Sequence, residues 1–227
     1  MIRFFALIAR AEGVSSQEFH DHWRHPHGTM GNRIANMRSY VQGHQIHTDL
    51  LGQDQASYEG IAITGFDNIQ EALAFGNEPQ YVEHVQPDEP NFVDQSRLLW
   101  LYTTEEVLVG RAKPQDGADY ADTLWNDLDH GTSIQLLQFI RPGNPDWAGE
   151  DDAELGRRIG ALRHARNPAA SEAGDANPDL IGARQLWWPT LTAFQQGVAK
   201  DPDAVKQLLA QGGDAHTALV RSERFLR

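Results

Sequence analysis

Residues Tyr58–Gly76 read YEGIAITGFDNIQEALAFG, and residues Leu180–Gly197 read LIGARQLWWPTLTAFQQG. Each begins with a short run of apolar, β-branched or aromatic residues and passes at once into a helical pattern. In the first, Asp67 or Asn68 supplies the helix cap. An offset of 122 residues lays Gly60 on Gly182 and Phe66 on Trp188, and the helix breakers Pro79 and Pro202 then agree within one residue. A strand–helix unit that recurs in this way points to two copies of one motif.

Outward from the first copy, Arg3–Arg10 is a compact apolar run that fits a buried strand. Gly13 and Val14 turn the chain, and Ser15 with Glu18 forms a capping box that starts a helix. RSYVQGHQIH (Arg38–His47) is a strand, LLGQDQAS a loop, and RLLWLYTTEEVLV (Arg97–Val109) a strand after the Pro-rich QPDEPNF. The order β-α-β-β-α-β is the ferredoxin-like arrangement. The second half repeats it with strands in 132–143, 161–169, 180–188 and 216–226, a helix at 151–160, and a helix at 190–211 broken at Pro202. The expected fold is α+β: two tandem ferredoxin-like halves, each with one sheet face under its helices, packing sheet to sheet as an α/β-barrel. The expected domains are 1–112, a linker at 113–131, and a degenerate second copy at 132–227.

The chain has 227 residues, 40% hydrophobic and 22% charged, as in ordinary globular proteins. A net charge of −13 argues against nucleic-acid phosphates and anionic membranes as partners. The absence of cysteine excludes disulfide frameworks, thiolate metal sites and cysteine nucleophiles. MIRFFALIAR resembles a signal peptide only superficially: its apolar run is about seven residues and no small-residue cleavage pattern follows. It reads as the first strand. No stretch approaches the roughly 18 apolar residues of a membrane span, and the expected location is cytoplasmic.

Between Phe19 and Gly28 the chain reads FHDHWRHPHG, four of its ten histidines in ten residues. On a helical wheel with Phe19 at zero, Trp23 and Met30 fall near 40° and 20° and define the apolar face. His27 and His20 lie on one flank at about 80° and 100°, His22 on the other near 300°, and His25 near 240° towards solvent. The four cannot share one metal. A pair seven residues apart still needs a third ligand, and Asp21 points elsewhere near 200°, so no metal is expected. His27, on the border between core and cleft, is placed where an imidazole titrates near neutrality.

SSQEFHDHWRHPHG, MRSYVQGHQI, YEGIAITGFDNIQEA and DEPNFVDQSR, in this order within residues 1–109, resemble the EthD family of the dimeric α/β-barrel superfamily. The resemblance implies the fold and a functional range that includes polyketide cyclases, cofactor-free monooxygenases, dehydratases and decarboxylases of small aromatics, and haem enzymes. It also implies a role for His27, which occupies the position of the family's histidine. Pro26 departs from the pattern and should kink the helix there.

Tyr40, Gln42 and His44 alternate onto one face of their strand, a poor core and a good pocket wall. Tyr58, Ala62, Thr64 and Phe66 do the same on the next strand and suit a flat aromatic ligand. The candidate catalytic residues are therefore His27, Tyr40 and His44, with His22, Trp23, Tyr58, Phe66 and Phe92 as substrate contacts. The helix at 151–160 carries no histidine, so only the N-terminal half is expected to hold a working site, with His164 dispensable for activity. No Gly-x-Ser-x-Gly, P-loop, dinucleotide or HExxH motif is present. The expected function is a lyase (dehydration, decarboxylation or cyclisation) acting without a cofactor on a small aromatic or polyketide-like compound. The alternatives are a cofactor-free monooxygenase of a phenol and a non-catalytic or haem-binding barrel. A homodimer stays open.

Overall fold

The computed structural model describes residues 1–109, 132–144, 147, 149–173 and 179–226; the expected linker, 113–131, lies outside them. Among the described residues nine antiparallel strands run in chain order as β1 (Ile2–Ile8), β2 (Ser39–Gln45), β3 (Gly60–Phe66), β4 (Leu99–Thr104), β5 (Glu106–Val109), β6 (Thr132–Ile140), β7 (Arg163–Pro168), β8 (Gly182–Trp188) and β9 (His216–Leu226). They form one sheet of order β4-β1-β3-β2-β9-β6-β8-β7-β5. Each half shows the ferredoxin-like order, and the halves join edge to edge where β2 pairs with β9. The repeat holds in detail, since Gly60 opens β3 and Gly182 opens β8.

The sheet then closes on itself. The fourth strand, expected to run unbroken from 97 to 109, is divided at Glu105. Before that residue it pairs with β1 as β4; after it, with β7 as β5. A bridge from Thr103 to Ala169 reinforces the passage. The division arises because a strand serving both edges of a curved sheet must change partner, and curvature concentrates at such breaks. At the seam Glu105 sits 3.2 Å from Arg3 of β1 and 2.7 Å from Arg163 of β7.

Strand alternation sorts the side chains. Phe5, Leu7, Ile61, Ile63 and Leu101 point into the barrel and meet Leu137, Phe139, Ala183, Ala218 and Val220 of the second half. Phe5 and Phe139 touch edge to face at 5.5 Å. The opposite face lies under helices, α3 (Ile69–Ala74) among them in the N-terminal half. In the second half α4 (Asp152–Arg158), α5 (Leu191–Lys200) and α6 (Pro202–Gln211) fill that layer by packing Leu155, Phe194, Val205 and Leu208 on Leu136, Leu186 and Trp188. Beside them Arg184 and Asp152 pair at 2.9 Å, both wholly buried, and His164 stands 3.3 Å from the same carboxylate. His164 is thus a core residue. Among the described residues no helix is long and apolar enough to cross a membrane.

Burial by itself would raise the Glu105 carboxyl, but Arg3 and Arg163 together outweigh it and hold the group below its ordinary value. A depressed carboxylate contributes stability above its unfolded pKa and loses it as pH falls through the folded one. Replacing Glu105 by Gln should therefore cost about 3 kcal/mol near neutrality, because two largely buried arginines lose their partner. The deficit should shrink in acid. Urea unfolding at neutral and acidic pH measures both, and a variant as stable as the parent at neutral pH would contradict the role of the seam.

Candidate active site

The first helix, α1 (Ser16–His22), opens with the capping box: Ser15 Oγ accepts from the Glu18 amide at 3.2 Å, and Glu18 accepts from the Ser15 amide at 2.8 Å. Phe19 and Trp23 then face the sheet, both buried. Pro26 breaks the continuation. The residue before a proline is disfavoured in the helical region, and His25 is extended at φ −152°, ψ 124°. The turn Trp23–His27 widens around it before α2 (Gly28–Gly31) resumes. His25 is left outside against Thr29, and His27 turns inward to 7% exposure. Gly28 permits the approach, because a Cβ there would lie 2.7 Å from the Gln42 amide nitrogen and 2.6 Å from the Phe225 ring.

Under these helices three rows of side chains cross β1, β3 and β2: Phe4–Thr64–Tyr40, Ala6–Ala62–Gln42 and Ile8–Gly60–His44. The Ala6–Ala62 pair is too small to meet the roof, and a cavity of about 100 Å³ remains. That is room for several waters. Its walls are mostly apolar, with Trp23, Ile34, Val85 and Phe92 among them, and His27, Tyr40, Thr64, Tyr81 and Glu89 supply the polar atoms.

His27 Nδ1 lies 2.9 Å from Asp88 Oδ2. Asp88 also holds His22 Nε2 at 2.9 Å and accepts from the Asn91 amide at 3.0 Å. Burial pushes the Asp88 carboxyl up, but these hydrogen bonds prevail and keep it below its ordinary value. It is therefore an anion that accepts Nδ1–H of His27 and leaves Nε2 as the basic nitrogen. Burial lowers His27 and Asp88 only partly restores it, so the imidazole is neutral at pH 7. The Tyr40 hydroxyl accepts from the Gln42 amide at 2.9 Å and keeps its own proton, burial pushing it up to about 12. The neighbouring Thr64 hydroxyl is buried and finds no hydrogen-bond partner.

Of the residues singled out from sequence, His27, Tyr40, Trp23 and Phe92 share this cavity. The other four do not line it. His22 reaches the outer side of Asp88 and packs on Phe92 at 5.0 Å. His44 is on the expected face, but the Trp23 ring covers Gly60 and stands 4.8 Å from His44, screening it from the cavity. His44 bonds His20 at 2.8 Å instead, and burial, Arg24 and His20 push it down to about 3. Phe66 is wholly buried beneath Phe75, 6.0 Å away. Tyr58 precedes β3, packs towards the barrel interior and meets His216 at 4.7 Å. Asp88 and Glu89 open the segment DEPNFVDQSR, but the sequence assigns them no part in the site. Their signal was the pair of acids between two prolines in PDEP (87–90). Among the described residues no three histidine, aspartate or glutamate side chains converge as a metal site.

Residues 11–96 match the EthD domain, and that segment supplies α1, α2, β2, β3 and both carboxylates. No curated protein matches the chain. Among solved structures, an anthrone oxidase-like protein shares the fold at TM-score 0.63 and 8% identity, over 99% of this chain and 93% of that one. A candidate monooxygenase from Fusobacterium nucleatum follows it at TM-score 0.53 and 9% identity, over 99% and 92%. Another, from Lactobacillus acidophilus, gives 0.50 and 9%, over 99% and 93%. At such identities the likeness is one of fold.

The Asp88–His27 bond has a direct consequence. Asp88 is what raises His27 against the effect of burial, so Asp88→Asn should move the His27 titration further down, by roughly one unit or more for a charge at hydrogen-bond distance. Ring-proton NMR of the two proteins reads this shift. A His27 that titrates at the same pH in both would show that the pair is not formed.

Proposed function

We propose that the EthD domain is a lyase-type active site in which His27, oriented by Asp88, acts as general base on a small aromatic or polyketide-like compound. One observation carries this reading: a carboxylate-oriented imidazole opens onto an apolar cavity that is also lined by Tyr40 and Thr64, two hydroxyl-bearing residues paired across β2 and β3. A carboxylate on Nδ1 fixes the tautomer and stabilises the imidazolium as it forms. Nε2 then takes a proton from an acidic C–H or O–H held in the cavity. The negative charge left on the substrate oxygen is met by the Tyr40 hydroxyl, a donor already in place, and such preorganised donors commonly contribute a few kcal/mol. Dehydration, decarboxylation and ring closure all pass through an oxyanion of this kind.

His44 acts in this reading as a positioning residue. It backs Trp23 and lies 3.6 Å from Glu223, which holds Arg24 of the same widened turn at 2.9 Å. The cavity lining offers the groups that proton transfer uses: an imidazole, a carboxyl and hydroxyl donors. The names of the structural neighbours favour a second reading, in which the carbanion made by His27 reacts with oxygen. Oxygen uptake with anthrone separates the two.

His27→Ala should lower turnover about 100-fold or more with the fold intact. Tyr40→Phe should lower it by less, and His25→Ala should leave it unchanged. Because the base works in its neutral form and burial lowers its pKa, the rate should be constant above about pH 6.5 and fall in acid. Deuterium uptake at the acidic C–H of 1-tetralone, followed by NMR, measures all three variants. Equal uptake by the parent and His27→Ala would reject the assignment.

A further inference from the structure

Two consecutive carboxyls, Asp88 and Glu89, face opposite ways. Asp88 is committed to His27, His22 and Asn91. Glu89 lines the cavity itself, where Tyr81 donates to it at 2.9 Å and Gln95 at 3.2 Å. The same cavity holds the unpartnered Thr64 hydroxyl, directly across the strand pair from Tyr40. Three kinds of group therefore meet in one small space: a basic nitrogen, a second titratable carboxyl, and two hydroxyls able to hold an oxygen.

We infer that Glu89 is the general acid opposed to His27, and that the substrate class is a β-hydroxy ketone which the pair dehydrates. The inference rests on the role of His27 as base. Nε2 of His27 removes a proton from the carbon next to the carbonyl, and the electron pair of that C–H bond forms the enolate. The enolate oxygen sits on the Thr64 and Tyr40 hydroxyls, which satisfies the orphaned threonine. As the carbonyl re-forms, the bond to the β-hydroxyl breaks, and Glu89 gives its proton to the departing oxygen. The products are an enone and water. The imidazolium of His27 and the carboxylate of Glu89 then differ from their starting states by one proton, exchanged through solvent. No oxidant is consumed.

The surroundings of the two carboxyls agree with this division of labour. Burial raises Glu89; Tyr81 and Gln95 oppose this, and the charge of Asp88 adds to the rise, so that the group stays above its ordinary value while Asp88 falls below. Adjacent carboxyls whose environments separate them in this way are the usual mark of an acid and its partner. Tyr40 and Tyr81, the phenols facing Glu89, are themselves pushed up by burial and stay neutral.

The test uses 3-hydroxycyclohexanone in heavy water, with cyclohexenone formation read by absorbance and deuterium at the α-carbon by NMR. The full-length protein should catalyse both. His27→Ala should abolish both, and Glu89→Gln should lower the ratio of enone formed to deuterium exchanged about 100-fold, the scale of a positioned acid. An unchanged ratio in Glu89→Gln, or exchange without enone in the parent, overturns the role of Glu89 and leaves His27 as base. A parent protein that exchanges no deuterium overturns both assignments. Should Glu89→Gln fail to fold, the carboxyl carbon shift of Glu89 in the parent decides: titration above the ordinary glutamate range supports the acid, and titration within it overturns it.

Discussion

A strand covered on both faces has no solvent side on which to hide a misfit, and here the central strands β2 and β3 are covered on both. One face meets the other half of the barrel, and the second meets a layer of helices. Where side chains on the second face are large the layer is solid, as under α4 to α6. Opposite Ala6 and Ala62 they are not, and the helices cannot sink further because Trp23 rests on Gly60 and Phe92 on His22 and His27. The cavity is thus a product of two alanines and an aromatic roof. All the chemistry proposed for the protein depends on that misfit.

Once the hollow exists, electrostatics distribute the roles within it. A carboxylate at the rim keeps enough hydrogen bonds to remain charged and so can orient a histidine. A carboxyl one residue later is drawn into the apolar space and resists ionisation. The backbone brings both from the single segment 81–91, an irregular helical stretch with prolines at 87 and 90. Proline there removes donors that a regular helix would use, and the segment turns one acid outward and the next inward.

Much of this was legible in the sequence. The apolar run Arg3–Arg10 and the β-rich stretches around Tyr40–His44 and Gly60–Phe66 marked β1, β2 and β3, and the 122-residue offset placed β8 on β3. The capping box, the histidine turned to solvent and the kink at Pro26 are all present. What periodicity does not carry is which neighbour covers a residue. His44 is on the predicted face, yet a tryptophan ring lies between it and the cavity. Tyr58 has the right parity but falls before the strand begins. The split at Glu105 was hidden because closure of a barrel is a property of two distant edges. Asp88 and Glu89 had no periodic pattern to give them a role, although they open the DEPNFVDQSR segment that resembles the family.

Everything proposed for the site turns on Asp88 holding His27 in one tautomer, with a proton on Nδ1 and a bare Nε2. Long-range proton–nitrogen correlation NMR on the ¹⁵N-histidine-labelled protein at pH 7 observes this state directly. A protonated Nδ1 and an unprotonated Nε2 are expected for His27. A proton on Nε2, or an imidazolium carrying both, would contradict it.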